Sequence, residues 1–199
     1  MKIKDNMKTS FVDTVYLSNP YNHVLTNPDC IYDLEVIYFS LEIDPEQKIA
    51  KFMANKLWRD HGIKTNVGEL FSRGEKRISR EDAQAIGGMK DYFSRMSHKV
   101  HYRSAASPDY IYRELMNYAK TKGEITLDDK GIVINYKPHN PMLITIVVID
   151  HIGLIKQNKK DVNLKAAIDR ASKTLIYFRN IFGFSPVVVS QFNRAIENH

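Results

Sequence analysis

The 199-residue chain carries 43% hydrophobic and 26% charged residues, a balance that supplies a buried core and excludes a disordered chain. Its formal net charge of +6 favours an anionic partner such as nucleic acid or nucleotide phosphate, although many ordinary soluble proteins are as basic. A single cysteine, Cys30, rules out an internal disulfide. The start Met1-Lys2-Ile3-Lys4-Asp5-Asn6 has no apolar targeting region, and no apolar run reaches membrane-spanning length, so a single-domain, cytoplasmic chain is expected.

The first element is Leu34 to Leu41 (LEVIYFSL), an apolar β-rich run that predicts a buried strand ending at Glu42. Asp44-Pro45-Glu46-Gln47 predicts a helix start, with Asp44 as N-cap, Pro45 at the first helical position and Gln47 closing a capping box. Ile49, Phe52, Met53 and Leu57 recur at helical spacing and predict its apolar face. Further helices are expected over residues 66–73 and 79–97, the second broken at Gly87-Gly88, followed by a short strand over 98–103. Ser107-Pro108 opens another helix with Ile111, Leu115 and Tyr118 on one face.

Residues 124–136 (EITLDDKGIVINY) predict a β-hairpin turning near Asp129-Lys130-Gly131. Leu143 to Ile149 (LITIVVI) has the continuous apolar, β-branched character of a central parallel strand. A long helix over 163–182 carries Leu164, Ile168, Ala171, Leu175 and Phe178 on its buried stripe and stops at Gly183, before a strand over 186–189. Strands alternating with helices predict a parallel α/β sheet, whose ligands bind at the carboxyl ends of the strands.

Polar residues follow three of these strands directly: Glu42, Asp150 and Ser190-Gln191. One carboxylate at such an edge can hold Mg²⁺ through water, a second can orient an attacking water, and a glutamine can sense a γ-phosphate. Taken singly, each reads better as a turn former after a strand. All three in this order suit nucleoside triphosphate hydrolysis, which depends on positioning and charge stabilisation.

Tyr38-Phe39-Ser40-Leu41-Glu42 with Glu46-Gln47, the segment Val148 to Ile155 (VIDHIGLI), and Val188-Val189-Ser190-Gln191-Phe192-Asn193-Arg194 together resemble three motifs of DnaB-type replicative helicases, over roughly residues 8–198. The Ser-Gln-x-Asn-Arg match is the most specific part. The resemblance implies a RecA-like P-loop NTPase core: a mainly parallel sheet flanked by helices, with an inserted hairpin near 124–136. It implies ATP and Mg²⁺ as cofactors, with Glu42 as the catalytic base, Asp150 as the Walker B carboxylate acting on Mg²⁺, and Gln191 as the γ-phosphate sensor. Arg194 lies in the matching motif, where a structural salt bridge is the alternative. Such enzymes work as homo-oligomeric rings, usually hexamers, on single-stranded DNA, with primase or a loader as partner, and occur in bacteria and their phages.

The phosphate loop departs from the pattern Gly-x-x-x-x-Gly-Lys-Thr. Met7-Lys8-Thr9-Ser10-Phe11 resembles its tail, with Lys8 at the phosphate-binding lysine and Thr9 at the Mg²⁺-binding hydroxyl, but Lys2 and Met7 stand at the two glycine positions. A side chain at Met7 crowds a loop that needs glycine for close approach. No residue matches the family's arginine finger, so the chain reads as a motor domain cut short at both ends, with independent catalysis not expected. A non-catalytic RecA-fold module that docks on a helicase is the competing expectation. A filament-forming recombinase is a third, disfavoured by Ser-Gln-x-Asn-Arg.

Lys156, Lys159 and Lys160 follow the Walker B segment in a polar loop. By the resemblance this region faces the central channel, where lysines meet a phosphate backbone; a solvated basic loop is the preferred reading from the residues alone. Tyr110, Tyr112 and Tyr118 on one helix read as core packing rather than base stacking. His98 and His101 lack partners at metal-ligand spacing, and Cys30 reads as an inert thiol.

Overall fold

The computed structural model describes residues 11–71 and 78–190. Strand β1 (Asp33–Ser40) is central; β2 (Val100–Arg103) lies on one side of it, and β5 (Leu143–Asp150) with β6 (Ser185–Val188) on the other. All three pairings are parallel. β3 (Gly123–Leu127) and β4 (Val133–Pro138) form a separate antiparallel hairpin, inserted as the sequence predicts.

The apolar runs of β1 and β5 are continuous because both faces of the sheet are covered. Val36, Tyr38, Ile146 and Val148 point to one face, where they meet Val12, Leu17, Tyr21, Phe52 and Met96. Ile37, Phe39, Val147 and Ile149 point to the other, against Ile111, Leu115, Ala171 and Phe178. The first face is covered by a π-helical segment (Asp13–Ser18) leading into α1 (Asn19–Thr26), by α2 (Pro45–His61), and by α5 (Lys90–Ser97). The second is covered by α6 (Pro108–Lys122) and α7 (Leu164–Phe182).

Helix ends follow their capping chemistry. Ser107 and Asn163 accept from the backbone N–H three residues on, and Gly62 and Gly183 close α2 and α7 in the left-handed region at φ 69° and 71°. Between these helices lie α3 (Val67–Leu70), α4 (Arg80–Gly88) and a 3₁₀ turn at Ile152–Leu154.

Several local expectations are corrected. Asp44 is the N-cap of α2 and Pro45 its first residue, but the Asp44 side chain makes no capping hydrogen bond; a reciprocal capping box forms instead between Asn66 and Glu69 at α3. The helix expected over 66–73 runs only to Leu70, and residues 72–77 lie outside the described residues. α4 continues through Gly88 and meets α5 at Met89.

The buried residues of α2 are Lys48, Ala50, Phe52 and Leu57, whereas Ile49 is exposed. Phe52 and Leu57 keep the expected apolar stripe, but Lys48 rather than Ile49 is buried beside them, and its ion partners provide the reason below. In α7 the stripe is carried by Ala167, Ala171, Leu175, Phe178 and Phe182, leaving Leu164 exposed. Tyr112 is exposed as well, although its ring centroid lies 5.7 Å from that of Phe178.

Candidate functional site at the carboxyl edge of the sheet

Crossovers leave β1 and β5 on opposite faces: the chain after β1 passes through α2 on one face, and the chain after β5 passes through α7 on the other. Their carboxyl ends therefore flank a topological switch point, where open α/β sheets bind ligands. Register places Ser40 directly beside Asp150, and Ile149 beside Val188. Leu41 N–H donates to Asp150 O at 2.8 Å, and Val189 N–H to Ile149 O at 2.9 Å. The ends of three strands, carrying Ser40, Asp150 and Ser190, are thus brought to one edge.

Glu42 lies two residues beyond β1 and is exposed. Ser40 turns its hydroxyl back to donate to Ile43 O, which holds the loop leading to α2. Lys8, Thr9, Gln191 and Arg194 lie outside the described residues. Lys156, Lys159 and Lys160 are all exposed on the loop after β5. That loop is pinned beneath them, where Asp161 accepts from Asn158 N–H at 2.7 Å and from Arg170 at 2.6 Å.

Asp150 is buried, and its surroundings were not legible in the motif. Its Oδ2 lies 3.0 Å from Lys48 Nζ and accepts from Tyr38 Oη at 2.9 Å. The same ammonium lies 3.0 Å from Asp13 Oδ1, and the same hydroxyl lies 3.1 Å from that oxygen. Lys48 Nζ also stands 4.5 Å from the centroid of the Tyr38 ring, within cation–π range.

Among the described residues, two carboxylates, one ammonium and one phenol thus form a ring of contacts, in which the Lys48 side chain is 1% exposed and that of Asp150 3%. Burial pushes the Asp13 carboxyl above its ordinary range despite the opposing effect of Lys48. Burial, followed by the charge of Asp13 and Asp150, drives the Tyr38 phenol far upward, keeping it a neutral donor. Tyr102, the register neighbour of Tyr38, contributes a buried hydroxyl that finds no hydrogen-bond partner among the described residues.

Such a ring does not fit direct ligation of a divalent ion by Asp150 Oδ2. Mg²⁺ needs near-octahedral oxygen ligands at about 2.0–2.1 Å and keeps several waters. Here Oδ2 is already shared by an ammonium and a phenol in a site with almost no solvent. Among the described residues, no group of three or more His, Cys, Asp or Glu side chains is placed to hold a metal ion.

Asp13 and Lys48 were missed at the sequence level. A lysine within a helical period reads as solvent-facing, and nothing local links it to a carboxylate near the amino terminus.

No family model and no curated protein matches the chain. Among solved structures, it is similar to a DnaB-like replicative helicase described with its interactions with primase, at 16% identity and a TM-score of 0.59, over 84% of this chain and 34% of that one. It is similar to an ATPase domain at the same identity and TM-score, over 84% of this chain and 50% of that domain. The chain therefore spans a third to a half of the structures it resembles. At this identity the likeness shows the fold alone, a mainly parallel sheet flanked by helices. No helix among the described residues is long and apolar enough to cross a membrane.

Proposed function

We propose that this chain is the RecA-fold core of a DnaB-type replicative helicase, which in an assembled ring takes part in ATP-driven translocation along single-stranded DNA and in duplex unwinding. The observation that carries this reading is the gathering of Ser40, Asp150 and Ser190 at one switch-point edge, in the order of the helicase motifs. Under this reading Glu42, exposed at that edge, orients the attacking water. Gln191 senses the γ-phosphate, Lys8 and Thr9 meet the nucleotide phosphates, and Arg194 supports the third motif. Lys156, Lys159 and Lys160 track the DNA backbone, and primase or a loader is the protein partner, as primase is for the solved helicase.

A second reading, a non-catalytic RecA-fold module that assembles with a helicase, is favoured by the Lys48–Asp150 ion pair and by Met7 at a glycine position. Steady-state ATPase assays on the full chain, with and without single-stranded DNA, separate the two. The motor reading expects, in the assembled ring rather than in the isolated chain, DNA-stimulated turnover that Glu42→Gln abolishes. Turnover no greater than that of Glu42→Gln, together with retained binding to a helicase, would sink the motor reading and leave the assembly module.

A further inference from the structure

We propose that Lys48 is the resident counter-ion of the Asp13–Asp150 pair, so that this edge of the sheet takes a nucleoside triphosphate without a divalent cation on Asp150. The inference deepens the nucleotide reading of the β1–β5 edge and rests on it.

The geometry is specific. One ammonium lies 3.0 Å from Asp13 Oδ1 and 3.0 Å from Asp150 Oδ2, and Tyr38 Oη approaches the same two oxygens at 3.1 and 2.9 Å. The two carboxylates therefore converge on a single point, and Lys48 Nζ stands at that point. A divalent ion there would have to displace the ammonium, because like charges at contact distance in a dry site repel strongly.

Displacement is opposed on every side. The Lys48 side chain is 1% exposed, is clamped by two carboxylates and rests on the Tyr38 ring. It sits on the first turn of α2, immediately after the loop that the Ser40 hydroxyl holds, so the cation is delivered by the strand–loop–helix unit that carries Glu42. The remaining requirement of a triphosphate, positive charge outside the ring, then falls to side chains rather than to a metal at Asp150.

The same convergence makes a second expectation. With the ammonium removed, two buried carboxylates and a phenol face one vacated point, which is the donor set of a hard-cation site.

The experiment uses the full chain, with Mn²⁺ as a spectroscopic probe. Electron paramagnetic resonance titrations of the native chain and of Asp150→Asn are expected to show the same uptake of Mn²⁺. One site in the native chain that Asp150→Asn abolishes would overturn the proposal. Lys48→Met is expected to melt at lower temperature, to gain one Mn²⁺ site that Asp13→Asn removes, and to recover melting temperature in about 1 mM Mn²⁺ through ligand linkage. A folded Lys48→Met chain that takes up no Mn²⁺ overturns the convergence of the two carboxylates. If that variant does not fold even with Mn²⁺, the comparison of native chain and Asp150→Asn decides.

A fluorescent ATP analogue titrated into the native chain, in EDTA and in Mg²⁺, separates this proposal from the nucleotide reading. Equal affinity supports both. Binding that requires Mg²⁺ overturns the proposal. No binding in either condition overturns the nucleotide reading, and with it the proposal's statement about triphosphate, while the Mn²⁺ titrations still decide whether Lys48 is the counter-ion.

Discussion

Tyr118 donates its hydroxyl hydrogen to Glu35 Oε2 at 2.8 Å, tying α6 to the central strand across the face of the sheet that holds α6 and α7. Glu35 is the one charged residue within the LEVIYFSL run, and its side chain is 6% exposed. It is satisfied by partners from two elements: Tyr118 and Lys122 of α6, the latter 2.8 Å from Oε1, and His101 of β2, 3.3 Å from Oε2. Thr145 of β5 lies 3.3 Å from the same Tyr118 hydroxyl. Lys99 stands farther off, at 3.9 Å.

A pH dependence follows from this cluster. Burial alone would raise the Glu35 carboxyl, but the hydrogen bonds from His101, Lys122 and Tyr118 outweigh it and lower it from 4.5 to about 2. Between those values the unfolded chain holds a proton that the folded chain does not, so stability rises with pH through that window. The contribution, on the order of 3 kcal/mol, is present above about pH 5 and is lost as pH falls towards about 2. Urea unfolding of the native chain at a series of pH values should show this slope, and Glu35→Gln should flatten it. A slope unchanged in Glu35→Gln would assign the acid sensitivity elsewhere.

Tyr38→Phe removes the hydroxyl shared by Asp13 and Asp150 while keeping the ring beneath Lys48. Leaving buried carboxylate oxygens one donor short costs about 1–3 kcal/mol, which chemical denaturation can measure. Because the ammonium remains, the variant should fold. A cost near zero would mean that Lys48 alone satisfies both acids.

Gly123→Ala tests the seat of the inserted hairpin. A Cβ at Gly123 would stand 2.5 Å from Lys137 O and 2.6 Å from Tyr136 Cε2, so backbone as well as side chain has to yield. Overpacking of this kind costs about 1–3 kcal/mol. Tyr136 packs on Phe182 with ring centroids 4.9 Å apart, so the strain should reach the carboxyl end of α7. Hydrogen exchange should quicken over residues 123–138 and stay unchanged in β1 and β5.

Much of the scaffold was legible because local patterns and tertiary demands coincide. The runs 34–41 and 143–149 read as buried strands because both of their faces are covered. Ser107, Asn163 and Gly183 marked helix ends that the chain uses, and Asp129-Lys130-Gly131 marked the hairpin turn, with Gly131 at φ 76°. What escaped depends on distant partners. The helical segment over 13–26 begins just after the lysine–threonine pair and carries Asn19-Pro20 within it, so no clean amphipathic period announced it. Lys48 is buried only because Asp13 and Asp150 meet it there, and Glu35 only because α6 and β2 supply its donors. The position of Asp150 at the edge could be read from the strand, but the cation beside it could not.

Phe178→Ala tests the core beneath α6 and α7. The ring stacks on Phe182 and Phe184 at centroid distances of 4.8 and 5.7 Å, and meets Tyr177 edge-on at 5.4 Å. Truncating a buried phenylalanine costs about 3–5 kcal/mol, a large share of the roughly 5–15 kcal/mol that holds a domain together. The melting transition should fall steeply or broaden, and a small, sharp shift would mean that neighbouring rings collapse into the space.

The exposed lysines after β5 separate a DNA-contacting loop from a merely solvated one. Lys156, Lys159 and Lys160 project from a segment fixed by Asp161 and Arg170, so replacing them with alanine should leave the fold intact. If they track a phosphate backbone, the triple variant binds single-stranded DNA more weakly at every sequence. Its dependence of log affinity on log salt should then flatten by up to about 1 for each lost contact. Fluorescence anisotropy with a labelled oligothymidylate at several salt concentrations reads both quantities. An unchanged slope at unchanged affinity would return the loop to the solvent, and the DNA path would have to be sought on another face.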